Sequence, residues 1–215
     1  MGPSELTVLY ADEAMLVLDK PAGLLSVPGR GADKQDCLSA RAQHLYPDAL
    51  VVHRLDMATS GLLLMARGAA AQRSLSEAFA SRAVRKRYIA VVDGHLAPAP
   101  DIWGVIDLPI IADWPNRPLR VIDKEHGKPS STRWRVRSYN PLDETTRVEL
   151  EPVTGRSHQL RVHLLALGHP ILGDALYASA GVQAKASRLL LHACSLELCH
   201  PVSAQAMRFV STEGF

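Results

Sequence analysis

The sequence predicts an α+β fold, with a central mixed or antiparallel sheet flanked by helices and loops. Short stretches of strand-like alternation recur along the chain and outnumber helical patterns. They follow no strict strand–helix–strand rhythm, so an all-parallel sheet is not expected. No internal repeat, low-complexity tract or long linker divides the chain. Residues 1–215 therefore read as a single domain, and a hydrophobic content of 47% is enough to build its core.

Taken in order, Leu6–Tyr10 and Met15–Leu18 read as two short strands around a turn at Asp12-Glu13. Lys20-Pro21-Ala22-Gly23 and Val27-Pro28-Gly29-Arg30-Gly31 are loops marked by glycine and proline. Asp36–Tyr46 reads as a helix with Asp36 at its start and Pro47 stopping it. Val51–Asp56 runs into a turn, and Gly61–Ala66 follows as a buried strand. Ala69–Ser81 is alanine-rich and helical, with Leu75, Ala78 and Phe79 on its apolar side. Arg87–Val92 is a strand closed by Asp93-Gly94. Prolines interrupt every candidate element from Leu96 to Pro118, which predicts loops and short strands. Thr132–Tyr139 alternates Trp134, Val136 and Ser138 with Arg133, Arg135 and Arg137, the pattern of a half-buried strand with a basic outer face. Thr146–Glu151 alternates similarly, Ser157–Leu167 is a helix ended by Gly168 and Pro170, and Leu189–Leu198 is a strand.

Composition narrows the class. No apolar run approaches the roughly 20 residues needed to span a bilayer, and the first residues lack a basic segment followed by an apolar one. The expected address is the cytoplasm. Cys37, Cys194 and Cys199 form no C-x-x-C pair and read as reduced thiols. The net charge of +2 does not by itself demand a nucleic-acid partner. Local basic concentrations exist at Arg82, Arg85, Lys86 and Arg87, and from Arg117 to Arg137. On charge alone each reads as a solvated face. Nothing suggests an obligate interface, so a monomer is expected.

Three segments carry chemistry. His53-Arg54-Leu55-Asp56-Met57-Ala58-Thr59-Ser60-Gly61 puts an arginine and an aspartate in a turn just before a buried strand. A carboxylate there can be shielded from water and still face a cleft, as a nucleophile or base requires. Spacing alone favours the plainer reading, a salt-bridged loop aspartate. Thr154-Gly155-Arg156-Ser157-His158-Gln159-Leu160-Arg161-Val162-His163 opens a helix whose N-terminus and two arginines could bind an anion, or could simply be capped and solvated. Lys86-Arg87-Tyr88 sets an aromatic beside cations, which suits stacking of a base, although tyrosine in a strand is usually core.

Together, and in this order, the three segments resemble the RluA type of pseudouridine synthases. That group's signatures are H-R-L-D-x-x-T-S-G, K/R-x-Y and T-G-R-[ST]-H-Q-[IL]-R-V-H. Leu189-Leu190-Leu191-His192-Ala193 is similar to a fourth element. The loops resemble those of the short, single-domain members: Lys20-Pro21-x-Gly23-Leu24, Val27-Pro28-Gly29-Arg30, Asp113-Trp114-Pro115-Asn116-Arg117-Pro118 and Leu167-Gly168-His169-Pro170-Ile171-Leu172-Gly173-Asp174. The resemblance runs from about Leu6 to Phe209.

The resemblance implies an isomerase that turns a uridine within RNA into its C-glycoside. It implies Asp56 as the catalytic carboxylate, Arg161 as the arginine pairing with it and Tyr88 as the aromatic packing on the extruded base. Arg54 would help expel the uridine. Leu190 or Leu191 would form an apolar wall, and Arg156, Arg30 and Arg117 would contact phosphates or loops. No cofactor and no metal is implied. With no N-terminal domain of the S4 kind expected, the catalytic domain and its loops would select the RNA. The implied partners are stem-loops of 23S rRNA and a tRNA anticodon loop. Two rivals share some features: an RNA-binding module of the same fold that has lost catalysis, and a glycoside hydrolase, which would need a second facing carboxylate. Kinase, Walker, dinucleotide and serine-hydrolase motifs are lacking. His158 and His163, five positions apart, do not share a helix face as a zinc pair would.

Overall fold

The first strand, β1 (Thr7–Ala11), turns at Asp12 into β2 (Met15–Lys20) because the Asp12 carboxylate accepts from the backbone of Ala14 and Met15, both at 2.8 Å. The structure, a computed structural model, describes residues 6–97 and 101–215. The expectations placed on segment 1–5 and on Pro98 and Pro100 lie outside the described residues. Then come α1 (Leu38–Leu45), β3 (Ala49–Val51), β4 (Ser60–Arg67), α2 (Gly68–Ala80) and β5 (Arg85–Asp93). They are followed by β6 (Gly104–Asp107), β7 (Ile110–Ala112), β8 (Arg120–Ile122), β9 (Ser131–Asn140) and β10 (Thr145–Pro152). The chain ends with α3 (Gln159–Ala166), α4 (Ala180–Gln183), β11 (Leu191–Cys199) and β12 (Ala206–Val210). Strands outnumber helices and pair in both senses, so the fold is α+β, as the sequence predicts.

The chain divides into two compact units. The first takes the chain up to Lys86 and again from His192 to Gly214; the second takes Arg87–Leu191 with Phe215. In the first unit β4 is the central strand. It pairs antiparallel with β2, in the register Met15↔Ala66 to Lys20↔Gly61. Its other edge carries β11, parallel at His192↔Ser60, and β3, antiparallel at Val51↔Met65. β1 and β12 extend the sheet antiparallel on β2 and β11. Both faces of the centre are covered: Leu16, Val17, Leu18, Leu64, Met65 and Ala66 are wholly buried. This is why β2 and β4 read as unbroken apolar runs rather than alternations.

In the second unit β5, β10, β9 and β6 form an antiparallel run, with Tyr88 opposite Leu150 and Glu149 opposite Arg135. Ala90, Val92, Val136, Val148 and Leu150 are buried there. β7 and β8 make a separate ribbon. Among the described residues no helix is long and apolar enough to cross a membrane.

Three local expectations change. Helix α1 is capped by Cys37, whose Sγ accepts from the Ala40 amide at 3.4 Å, and not by Asp36, which is bound to the Arg41 guanidinium. It stops at Leu45 because Tyr46 precedes proline and leaves the helical region. Helix α3 begins at Gln159, two residues later than expected, because His158 takes a left-handed backbone (φ 57°). Its end is a Schellman turn: Gly168 (φ 84°) donates to Leu165 O at 2.8 Å and His169 to Leu164 O at 3.0 Å. In β9 the inward alternation stops at Val136. The register slips opposite Arg147/Val148, and Ser138 lies exposed.

Candidate active site

Asp56 lies in the loop 52–59 that delivers the chain into β4, and that loop is fixed on both sides of the aspartate. Before it, the Ser26 hydroxyl donates to the Leu55 carbonyl at 2.7 Å and accepts from the Leu55 amide at 3.1 Å. After it, the Met57 carbonyl accepts from the Gly23 amide at 2.9 Å and from Lys20 Nζ at 3.0 Å. The Asp56 carbonyl itself takes the Thr59 amide at 3.1 Å. The carboxylate is half-buried, and Arg54 beside it is exposed. A side chain whose backbone is held this way can be presented in one orientation, which is what a nucleophile or base needs.

Lys20 is the least expected member of this loop system. It is wholly buried, an unusual place for lysine, and its ammonium donates to the carbonyls of Pro21 (2.9 Å), Leu24 (2.7 Å) and Met57. All three ammonium protons are thus used. Burial pulls its pKa down to about 8, against the opposing pull of the Asp56 carboxylate. The sequence presents Lys20 only as a loop residue. A lysine closing an apolar strand, directly before Pro-x-Gly, was the available signal.

The Ser60 side chain starts a buried polar chain. Ser60 Oγ meets His192 Nδ1 at 2.9 Å, His192 Nε2 meets Ser211 Oγ at 3.0 Å, and the Ser211 hydroxyl donates to Asp19 at 2.7 Å. Because Ser211 gives its proton to Asp19, it accepts from Nε2, and a neutral His192 then accepts from Ser60 at Nδ1. The Thr-Ser-Gly and Leu-His-Ala motifs therefore meet across the β4–β11 pairing. Gly61 (φ 105°) is required there: a Cβ would collide with the Ala193 backbone. His53 accepts the Leu64 amide at 2.8 Å and stacks on Phe79 with centroids 4.5 Å apart. Burial and, secondarily, Lys86 hold its pKa down at about 3.

In the second unit Arg161 is buried at 4% exposure and forms a two-pronged ion pair with Asp174 (Nε to Oδ2 2.8 Å, Nη2 to Oδ1 2.5 Å). Asp174 also accepts from the amides of Leu176 and Tyr177. The guanidinium lies 4.9 Å from the centroid of the Tyr177 ring. An arginine set so deeply is oriented rather than solvated. The sequence-based picture of Arg156 and Arg161 as twin cations at a helix N-terminus is corrected accordingly. Only Arg156 is exposed, with Nε 3.4 Å from the Pro129 carbonyl. The start of α3 is fixed instead by Gln159, which accepts from Thr154 and the Arg156 amide and donates to Ser131 O and Thr132. Asp174 was visible only as the end of a loop motif. Nothing in the sequence links it to Arg161.

Tyr88 is half-buried in β5. Leu191 is 3% exposed and belongs to the core, whereas Leu190 is half-buried. The Leu190 backbone is tied to Val91 N and Leu172 O, at 3.1 and 3.0 Å. Of the two leucines, Leu190 has side-chain surface left to offer. Arg30 is exposed in the loop after β2. Arg117 is exposed at the β7–β8 tip, its guanidinium carbon 3.2 Å from the Trp114 ring centroid. The predicted residues thus divide between the units: Asp56, Arg54 and Arg30 in the first, Tyr88, Arg161, Arg156, Arg117, Leu190 and Leu191 in the second.

The basic outer face expected of β9 is largely neutralised. Glu149 accepts from Arg87 at 2.9 Å and from Arg135 at 2.6 Å, and Glu151 pairs with Arg133 at 2.9 Å. Asp101 adds contacts to Arg135 and Arg137. The acids come from β10, in register opposite the arginines, so they do not show in the local sequence.

A family model for RNA pseudouridylate synthase matches residues 14–166. The chain is 51% identical over 210 residues to the dual-specificity RNA pseudouridine synthase RluA of Escherichia coli strain K12, covering 98% of this chain and 94% of that one. It is 48% identical over 199 residues to the RluA of Vibrio parahaemolyticus, covering 91% and 78%. Among solved structures, human RNA pseudouridylate synthase domain containing 1 superposes with a TM-score of 0.82 at 28% identity, covering 100% of this chain and 86% of that one. Human RNA pseudouridylate synthase domain containing 4 gives 0.73 at 27%, covering 96% and 88%. A model matched through both the aspartate loop and α3, and relatives similar along nearly the whole chain, place this protein in the RNA pseudouridylate synthase family.

Proposed function

We propose that the protein isomerises a uridine within folded RNA, with Asp56 as the catalytic carboxylate. The observation that carries this is the double fixation of the Asp56 loop, with a buried ammonium beside the carboxylate. The uracil leaves C1′, turns over and rejoins through C5, which gives up its hydrogen as a proton while N1 takes one up, so the reaction needs no oxidant, metal or nucleotide. Asp56 either attacks C1′ or removes the C2′ proton, and both require it ionised. The target base must first be extruded, at a cost of a few kcal/mol. Packing on Tyr88 offsets about 1–3 kcal/mol of it. Arg161 supplies positive charge to the carboxylate, and its pairing with Asp174 fixes its direction. Arg54 helps expel the uridine, Leu190 gives the apolar wall, and Arg30, Arg117 and Arg156 contact phosphates.

In this reading the two units work as one catalytic domain, a monomer of the cytoplasm. Its substrates are stem-loops of 23S rRNA and a tRNA anticodon loop. Relatives at 51% identity described as dual-specificity support that breadth. The test is tritium release from 5-tritiated uridine in tRNA and in 23S rRNA transcripts, tried separately. Release from both without added cofactor, and none with Asp56→Asn at undiminished RNA affinity, is the expected result. Normal turnover by Asp56→Asn would remove the assignment. Binding without release from either transcript would favour a module that holds RNA without modifying it.

A further inference from the structure

The β7–β8 ribbon ends in a tip whose construction the isomerisation does not explain. Residues 113–119 close over a short hydrogen-bonded turn. Asp113 accepts from the Asn116 backbone (3.3 Å) and side chain (3.0 Å), Leu119 donates to Asn116 O at 3.0 Å, and Asp113 N donates to Leu119 O at 3.0 Å. Pro115 and Pro118 restrict the backbone further. On this stiff support stands Trp114, 67% exposed. An indole left this far in water is rare, because its large apolar area usually finds cover.

The ring is not simply uncovered. The Arg117 guanidinium carbon lies over one face, 3.2 Å from the centroid. With one face covered and two-thirds of the residue still exposed, the opposite face is open to solvent. Asp113 is hydrogen-bonded to Asn116, and Asp123 to the amides of Glu125 and His126. Across residues 113–128 the cations Arg117, Arg120, Lys124 and Lys128 outnumber the acids Asp113, Asp123 and Glu125 by one, and Arg117 is the one set against the indole. A flat aromatic backed by a cation suits a nucleobase whose phosphates lie nearby.

The ribbon is also tied to the arginine of the site. The Arg120 amide donates to the Tyr177 hydroxyl at 2.9 Å, and that hydroxyl meets His158 Nδ1 at 2.7 Å. The Tyr177 ring carries Arg161. Ile110 and Lys128 exchange two backbone hydrogen bonds, at 3.0 and 2.9 Å, at the ribbon's base. The tip therefore has a fixed position relative to Arg161 within the second unit.

We propose that Trp114 is a stacking platform for an unpaired base of the RNA substrate other than the uridine being isomerised. Arg117 clamps the indole from behind, so substrate loops are selected partly by whether they can present a free base to this face. The proposal rests on the reading of the protein as an RNA enzyme and adds a specificity-determining residue outside the reacting centre.

The test uses the full-length protein, Trp114→Ala and Trp114→Phe. Their binding to a tRNA transcript and to heparin, a polyanion without bases, is measured beside KM and kcat for tritium release. Trp114→Ala is expected to weaken RNA binding and raise KM about 5- to 150-fold, the range of one lost base–aromatic stack. Heparin binding and the salt slope of RNA binding should change little, because Arg117 and every other cation are kept. Trp114→Phe should restore most of the affinity. RNA affinity within about twofold of wild type in Trp114→Ala would overturn the proposal and leave the exposed indole to a protein partner. Equal losses for RNA and heparin would overturn it as well, as the sign of an electrostatic contact or a collapsed tip. If wild type releases no tritium from the transcript, the substrate reading fails, and the two binding measurements still decide the platform.

Discussion

Replacing Lys20 with methionine tests how the Asp56 loop is held. The ammonium makes three hydrogen bonds from a wholly buried position. At about 1.5–3 kcal/mol each for charge-assisted bonds, the gross loss is roughly 5–9 kcal/mol. Methionine removes a burial cost in return. The fall in the lysine pKa from 10.5 to about 8 measures that cost at about 3 kcal/mol. The net expectation is a loss of about 2–6 kcal/mol, in line with opening a buried charged network. The Met57 carbonyl keeps Gly23, but Pro21 and Leu24 lose the ammonium as a donor. Urea unfolding at neutral pH measures the loss. Initial tritium-release rates should show kcat reduced about tenfold or more, with RNA affinity little changed, since a misoriented carboxylate costs rate rather than binding. The ammonium is the form present below about pH 8, so wild-type kcat should decline as pH rises through that value. Lys20→Met should lack that limb. Stability moves the other way over the same window. The unfolded chain keeps the lysine proton up to about 10.5 and the folded one only to about 8, so this group's burial cost fades as pH rises between them. A variant with stability within about 0.5 kcal/mol of wild type and an unchanged kcat profile would refute the reasoning.

His53 should make the protein acid-sensitive. Its folded pKa of about 3 lies below the ordinary 6.5, so its contribution is complete above 6.5 and lost as pH falls toward 3. That amounts to about 2 kcal/mol by pH 5, and thermal melts of His53→Gln should be flatter between pH 7 and 5 than those of wild type. Gly61→Ala forces a Cβ into the Ala193 backbone at a left-handed φ of 105°; a loss of about 3 kcal/mol or more is expected in denaturant titration. Asp174→Ala removes the two-pronged partner of the buried Arg161 guanidinium, and should cost about 3–5 kcal/mol together with most of kcat. Asp174→Glu, which keeps the charge, should recover part of the stability. A stable, active Asp174→Ala would show that Arg161 is held by other means.

The uneven reach of sequence reasoning follows from how far apart the interacting residues lie. β4 was legible because an unbroken apolar run bounded by Gly61 and Arg67 can only be a buried segment. α2 was legible from its alanine-rich composition and apolar side, and the end of α3 from Gly168, since these are local signals. The start of α3 was misread because His158 takes a left-handed backbone and is bonded through Nδ1 to Tyr177, 19 positions along the chain, which no local pattern shows. The arginines of β9 looked like a free basic face because their acids, Glu149 and Glu151, lie on the next strand.

By itself the sequence determined the fold class and the family, because ordered motifs of chemically constrained residues survive as local patterns; Asp56 was singled out only through that resemblance. The tertiary structure alone decided what holds those residues. Lys20 reaches the Met57 carbonyl, Ser26 straddles Leu55, Asp174 fixes Arg161, and the Ser60–His192–Ser211–Asp19 chain joins three strands to the chain end. Each of these contacts joins residues well separated along the chain. Its worth comes from exclusion of water, which a linear pattern does not encode and a packed interior creates.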